Sequence, residues 1–169
     1  RFEEIKGRAL LFLFFLLFIW FSSFSVRIIF SPILPLLEDE FMINHARASG
    51  IFAFMSAGYG MSVLLAGLFS GRVGYKKVII TCIASLCLIS FLLPFVRNFN
   101  LLYLVMLGLG FSHGLYIPST MPLITEYYAE KNWGRAIAIH DIGASTAIFA
   151  TPLIALGILQ FFSWRGIFI

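Results

Sequence analysis

Long apolar runs broken by short polar interruptions organise this sequence. They cover residues 9–35, 50–70, 78–96, 101–124 and 135–162, and a sixth opens at Trp164. A helix needs about 20 apolar residues to cross a hydrocarbon core of about 30 Å. Each run meets that length and is about twice as long as a usual soluble helix. The pattern predicts an all-α membrane protein, a bundle of five complete spans and the start of a sixth helix. The first run is longer than the roughly 7–15 residues of a signal core, lacks a small-x-small cleavage site and is followed by four more runs, so it reads as a span. The chain opens on Arg1 rather than Met and stops inside the sixth run. The expectation is therefore one piece, residues 1–169, of a longer polypeptide.

Composition agrees. Of 169 residues, 60% are hydrophobic and only 12% charged, with mean hydropathy +0.97; a soluble domain carries about 25% charged residues. Assigning the loops alternately puts Arg1, Lys6, Arg8, Arg72, Lys76, Lys77, Lys131 and Arg135 on one side, and Arg47, Arg97 and Arg165 on the other. The side rich in Lys and Arg is normally cytoplasmic, which places the amino terminus inside. The net charge of +4 is thus an orientation signal and gives no reason to expect nucleic-acid binding. Glu38, Asp39 and Glu40 fall outside. Cys82 and Cys87 are five apart, about 140° around a helix, so they read as small packing residues. No metal or cofactor is implied, since His45, His113 and His140 lie in different regions. That also argues against a membrane enzyme.

Small residues mark where helices pack. Gly110 and Gly114 form a small-xxx-small pair, Gly67 and Gly71 repeat the spacing, and the fifth span carries Gly143, Ala144, Ala147 and Pro152. Gly108-x-Gly110 lies mid-membrane, not between a strand and a helix start, and is no nucleotide fingerprint. The stretch from Gly67 to Lys77 predicts a tight, basic hinge on the cytoplasmic surface.

Ionisable groups within the runs are the candidate chemistry, because they are costly in hydrocarbon and usually face a cavity or a partner. Arg27 lies about 18 residues into the first span. It is either an anion-binding guanidinium, able to grip phosphate or carboxylate with two hydrogen bonds, or a side chain snorkelling outward where Pro32 and Pro35 end the helix early. His113 reads either as a substrate contact or as a neutral ring bonded to a neighbouring backbone or hydroxyl. His140 and Asp141, adjacent, point about 100° apart. Asp141 is either a proton carrier or a partner of Arg135 or Lys131. Depth separates Arg27 from Asp141: at about 1.5 Å per residue they lie about 27 Å and 9 Å from the inner ends of their helices. Tyr59 and Tyr116 are deep enough to line a cavity, while Tyr127, Tyr128 and Trp133 sit where an interfacial belt belongs.

The pattern Gly67, Arg72, Gly74, Lys76, with the loop from Glu126 to Ala136 and the Trp164-Arg165 pair, resembles the amino-terminal half of a major facilitator superfamily (MFS) transporter. Gly71 and Tyr75 replace an acid and a base of the family pattern, and the acid is one that helps to latch the two halves. Leu104 and Val105 occupy the place of a fourth-helix arginine, and the fifth helix lacks Gly-Pro-Gly-Gly, both unlike drug/proton antiporters. Val26-Arg27 with Phe30 and Pro35, Tyr59-Gly60, Gly114 with Pro118, and His140 are similar to the organophosphate antiporters of the glycerol-3-phosphate transporter family. Val63 and Phe24 differ from that family's lysine and tyrosine, and the neighbouring anion/cation symporters also carry a first-helix arginine.

The resemblance implies an alternating-access carrier in the lipid bilayer of a bacterial or archaeal inner membrane, with its carboxy-terminal bundle outside this chain. It implies a small organic anion, carboxylate or phosphate ester, as substrate and H⁺, Na⁺ or a counter-anion as coupling ion. Arg27, Tyr59, His113, Tyr116 and His140 would bind substrate, Asp141 would carry a proton, and Gly67, Arg72, Gly74, Lys76 and Lys77 would form the cytoplasmic gate. Drug or metabolite efflux and a non-transporting sensor of the same fold are the alternatives.

Overall fold

The computed structural model describes residues 1–168, Phe69 by its backbone alone. Its helices are α1 (Arg8–Ile28), α2 (Phe30–Phe41), α3 (His45–Val73), α4 (Tyr75–Leu92), α5 (Phe99–Gly114), α6 (Tyr116–Tyr127) and α7 (Trp133–Leu159). They form five segments long and apolar enough to cross a membrane: Arg8–Phe41, His45–Leu68, Tyr75–Phe95, Phe99–Tyr127 and Glu130–Leu159. The side chains of Asn44 and Asn98 cap α3 and α5, accepting from Arg47 N at 2.9 Å and Asn100 N at 2.8 Å; asparagine is among the best residues for this role.

Two spans are broken helices, and the breaks share a cause. α1 gives way to α2 at Ile29, three residues before Pro32, and α5 to α6 at Leu115, three residues before Pro118. Proline donates no N–H, and its ring clashes with the carbonyl four residues back, here that of Ile28 and of Gly114. Pro32 and Pro35 nevertheless do not end the first span, which continues as α2 to Phe41. That corrects the boundary expected at residue 35.

The predicted hinge is also shorter than expected. Gly67, Gly71 and Arg72 belong to α3, Lys76 and Lys77 to α4, and Gly74 alone joins the two helices. Gly74 has φ +89°, a conformation open to glycine and costly for a residue with a Cβ. Gly67 and Gly71 meet nothing within 4 Å, so they form no packing pair among the described residues.

α3 packs along α5, and α1 along α7. Backbones meet at the first pair: a Cβ on Gly110 would fall on the Met55 carbonyl, one on Gly58 on the Leu107 carbonyl, and one on Gly114 on Ser62. At the second pair, a Cβ on Gly143 would lie 2.5 Å from the Leu17 carbonyl oxygen. Close backbone approach at small residues is how helices associate where lipid supplies no hydrophobic drive. α4 closes the bundle against α5 and α6. Cys82 is buried in that contact and Cys87 exposed, both as free thiols.

The two ends are tied differently. At the Glu38–Glu40 end, the Glu40 carboxylate accepts from Trp164 Nε1 at 2.6 Å and from Arg165 Nη1. Arg165 also donates to the carbonyls of Pro94 (2.9 Å) and Val96 (3.1 Å). The stretch expected to open a sixth helix is a 3-10 turn at Trp164–Phe168. At the other end Phe2 pairs with Tyr128 through backbone hydrogen bonds. Glu3 pairs with Lys131 at 3.0 Å. Tyr128, expected at an interface, is buried and donates to the Ala9 carbonyl at 2.5 Å.

Candidate functional site

Trp20, in the middle of α1, organises the polar interior. Its indole lies nearly parallel to Tyr116 (centroids 5.0 Å apart, 7° between planes), His113 (5.3 Å, 15°) and His140 (5.8 Å, 16°). One side chain of α1 thus gathers rings from α5, α6 and α7. Phe24 meets Trp20 edge-on at 5.2 Å. Such stacked and edge-on pairs contribute about 0.5–1.5 kcal/mol each beyond area burial.

Each histidine is held by a polar neighbour. The His113 ring is buried, with Nδ1 2.8 Å from Ser23 Oγ and Nε2 unpartnered. A hydroxyl partner was one of the two alternatives for this ring. His140 is fully buried; its Nδ1 lies 3.0 Å from Asp141 Oδ1 and its Nε2 3.2 Å from the Tyr116 hydroxyl. Tyr116, also fully buried, donates its hydroxyl proton to the Leu16 carbonyl at 3.0 Å. Asp141 is 55% exposed and points away from the core except for that contact. Among the described residues its partner is His140 and neither Arg135 nor Lys131, and Lys131 pairs with Glu3 instead.

Arg27 is half-buried one turn beyond Phe24, with its guanidinium carbon 5.5 Å from the centroid of the Tyr59 ring. That is a cation–π distance. Among the described residues it forms no ion pair. The Tyr59 ring lies 5.8 Å from that of His113. Arg27, Tyr59 and His113 therefore form one cluster, and Tyr116, His140 and Asp141 a second, with Trp20 between them. Among the described residues Arg27 and Asp141 form no ion pair with each other.

The family model of the Major Facilitator Superfamily matches residues 10–169. This chain belongs to the Major Facilitator Superfamily. With its five apolar spans, this superfamily member is an integral, multi-pass membrane protein. It is 23% identical to the gallate transporter of Pseudomonas putida over 151 residues, 89% of this chain and 33% of that protein. It is 23% identical to the probable L-galactonate transporter of Escherichia coli (strain K12) over 172 residues, 100% of this chain and 37% of that protein. It is 26% identical to the quinolone resistance protein NorB of Staphylococcus aureus (strain JH9) over 143 residues, 81% and 30%. The chain thus spans about a third of the length of the curated relatives it matches.

Trp20 and Ser23 escaped the reading of the sequence. The signal was present: Trp20, Ser23, Phe24 and Arg27 recur at the three- and four-residue spacing of one helix face. A tryptophan inside a phenylalanine-rich run reads as bulk, and only the fold shows what stacks on it. Arg72, Lys76 and Lys77, expected from the sequence to form a gate, are exposed at the α3–α4 junction, and Lys76 Nζ lies 4.9 Å from the centroid of the Tyr127 ring.

Proposed function

We infer that this chain is the amino-terminal bundle of a twelve-helix secondary carrier for a small organic anion. Its Lys- and Arg-rich face lies in the cytoplasm of a bacterial cell. The observation that carries the reading is Arg27, a half-buried guanidinium on a membrane-spanning helix with no acidic partner among the described residues. A cation at that depth costs about 2.5–3.5 kcal/mol on insertion scales; the Tyr59 ring returns part of that, and an anionic guest would offset the rest.

A single guanidinium suits one carboxylate, which it meets with two parallel hydrogen bonds. Val63 is an exposed apolar residue of α3 and supplies no second cation for a phosphate dianion. The relatives named for gallate and galactonate support an organic acid. Tyr59 carries the guanidinium on its ring, and Trp20 and His113 buttress it. Alternating access follows the general plan of such carriers, in which two bundles rock about a site near the midplane. The breaks at Ile29 and Leu115 follow Arg27 and His113 by two residues each, which is where such a carrier would bend.

Similarity to a quinolone resistance protein favours efflux as the second reading. Uptake of radiolabelled gallate and galactonate by cells expressing the complete reading frame separates the two. Saturable uptake that Arg27→Ala abolishes, at equal membrane abundance, supports the anion carrier. Export of a cationic drug that is indifferent to Arg27→Ala contradicts it.

A further inference from the structure

Ser23 and His113 settle each other's hydrogens. Ser23 is buried, and its 2.8 Å contact with His113 Nδ1 is its only side-chain hydrogen bond among the described residues. Ser62, Ser70 and Ser85 give their hydroxyl protons to a backbone carbonyl three or four residues back. Ser23 makes no such bond, so its proton goes to Nδ1; the reverse arrangement would strand it in the interior. With Nδ1 accepting, the ring's hydrogen sits on Nε2. That N–H belongs to a ring 1% exposed and has no acceptor among the described residues. A buried donor left unpaired in this way points to a partner that these helices do not supply.

The stacked rings cannot set this alone. Trp20 lies 5.3 Å from His113 and 15° from parallel, and Phe24 and Tyr59 lean on it at 5.8 Å each. A half-turn of the imidazole about its bond to Cβ keeps the same plane and the same stacking, yet trades each nitrogen for a carbon. Only a polar contact tells the two orientations apart. Among the described residues the Ser23 hydroxyl is the one hydrogen-bond partner this ring has, so it decides where Nε2 points.

We propose that Ser23 is a positioning residue that turns His113 Nε2–H into a reader of hydroxyl oxygen on the transported anion; this rests on the anion-carrier reading. Arg27 and His113 both border the Tyr59 ring, at 5.5 and 5.8 Å from its centroid, and the charge of Arg27 bears on His113. A carboxylate held by the guanidinium therefore leaves the rest of a small acid beside an uncharged donor. Such a donor adds selectivity without adding charge. A site built to bond a substrate hydroxyl disfavours the analogue that lacks it, because the donor then stays buried and unpaired. The substrate class that fits is a hydroxylated carboxylic acid, selected over the same acid without hydroxyls.

The test is equilibrium binding to the purified complete protein, with gallate against benzoate and galactonate against hexanoate as hydroxylated and bare partners. Wild type should prefer the hydroxylated member of at least one pair. Ser23→Ala should cut that preference by a factor of about 2–10, the worth of one neutral hydrogen bond, and Ser23→Thr, which keeps the hydroxyl, should retain it. His113→Phe keeps a stacking ring without nitrogens; in that background the preference should already be lost and Ser23→Ala should change nothing further. A merely structural serine would instead weaken both members of a pair equally, in either background. Should Ser23→Ala not yield folded protein, Ser23→Cys decides, since its thiol is similar in shape and a weak donor: an undiminished preference refutes the proposal. Equal affinity for both members in wild type, or equal weakening of both in Ser23→Ala, also overturns it, and Arg27-dependent binding leaves the anion reading standing. Absence of saturable binding for all four acids overturns the two together.

Discussion

The ring of Trp20 lies against that of Tyr116, centroids 5.0 Å apart and 7° from parallel. The first span thereby touches α6, the second half of the fourth, and the two histidines rest on the same indole. Replacing Trp20 with Ala removes the surface on which three rings stack. Large aromatic-to-alanine changes in packed interiors cost about 3–5 kcal/mol. The detergent-purified protein should melt at a clearly lower temperature, with Trp20→Phe in between. An unchanged melting temperature would show that the stack contributes nothing.

Gly110 faces the Met55 backbone with no room for a methyl group, whereas Gly134 has nothing near it. Backbone cannot give way as a flexible side chain can. Gly110→Ala should lower the yield of monodisperse protein by forcing α3 from α5. Gly134→Ala, at the exposed start of α7, should be neutral or slightly stabilising, since alanine is the better helix former. Equal yields from the two variants would argue against backbone contact between α3 and α5.

Glu40 accepts hydrogen bonds from both Trp164 and Arg165. Glu40→Ala leaves the Trp164 indole N–H without its acceptor and the Arg165 guanidinium without its counter-charge. Removing one member of a partly buried charged pair costs more than the pair is worth, because the other charge stays desolvated. The expected outcome is a lower melting temperature for Glu40→Ala than for Glu40→Gln, which keeps one acceptor. Identical values for the two variants would contradict the clasp.

The Lys131 ammonium beside Glu3 holds that carboxyl below the ordinary carboxylate range, by hydrogen bond first and charge second. Because the folded value lies below the unfolded one near 4.5, the pair's contribution is present above that pH and is lost as pH falls through the folded value. Both partners are exposed, so the effect is local. Amide protection at Phe2 should fall on acidification below that range, and in Lys131→Ala it should already be low at neutral pH. Protection independent of pH and of Lys131 would refute the tie.

What the sequence revealed and what it hid divide along physical lines. Span number and approximate limits were legible, since about 20 apolar residues leave few other options. The pairing of Gly110 and Gly114 was legible because close approach demands small side chains. The positions of the helix breaks were not read. Pro32 and Pro118 announce a disturbance, but its place follows from the clash with the carbonyl four residues back. The expected eleven-residue hinge, Gly67 to Lys77, shrank to Gly74 because glycine-rich sequence also continues a helix. His140 and Asp141 read as diverging neighbours; a buried ring and a short carboxylate bend back into contact all the same. Trp20 could not be distinguished from lipid-facing bulk before the rings around it were placed.

The most direct measurement is equilibrium binding of radiolabelled gallate and galactonate to the purified complete protein, compared between wild type and Arg27→Ala. Hydrogen bonds to charged groups contribute about 1.5–3 kcal/mol each, so losing the guanidinium should weaken binding about 100-fold. Arg27→Lys should recover part of the loss, because it keeps the charge without the two-pronged geometry. Saturable binding of the same strength in wild type and Arg27→Ala would contradict the account.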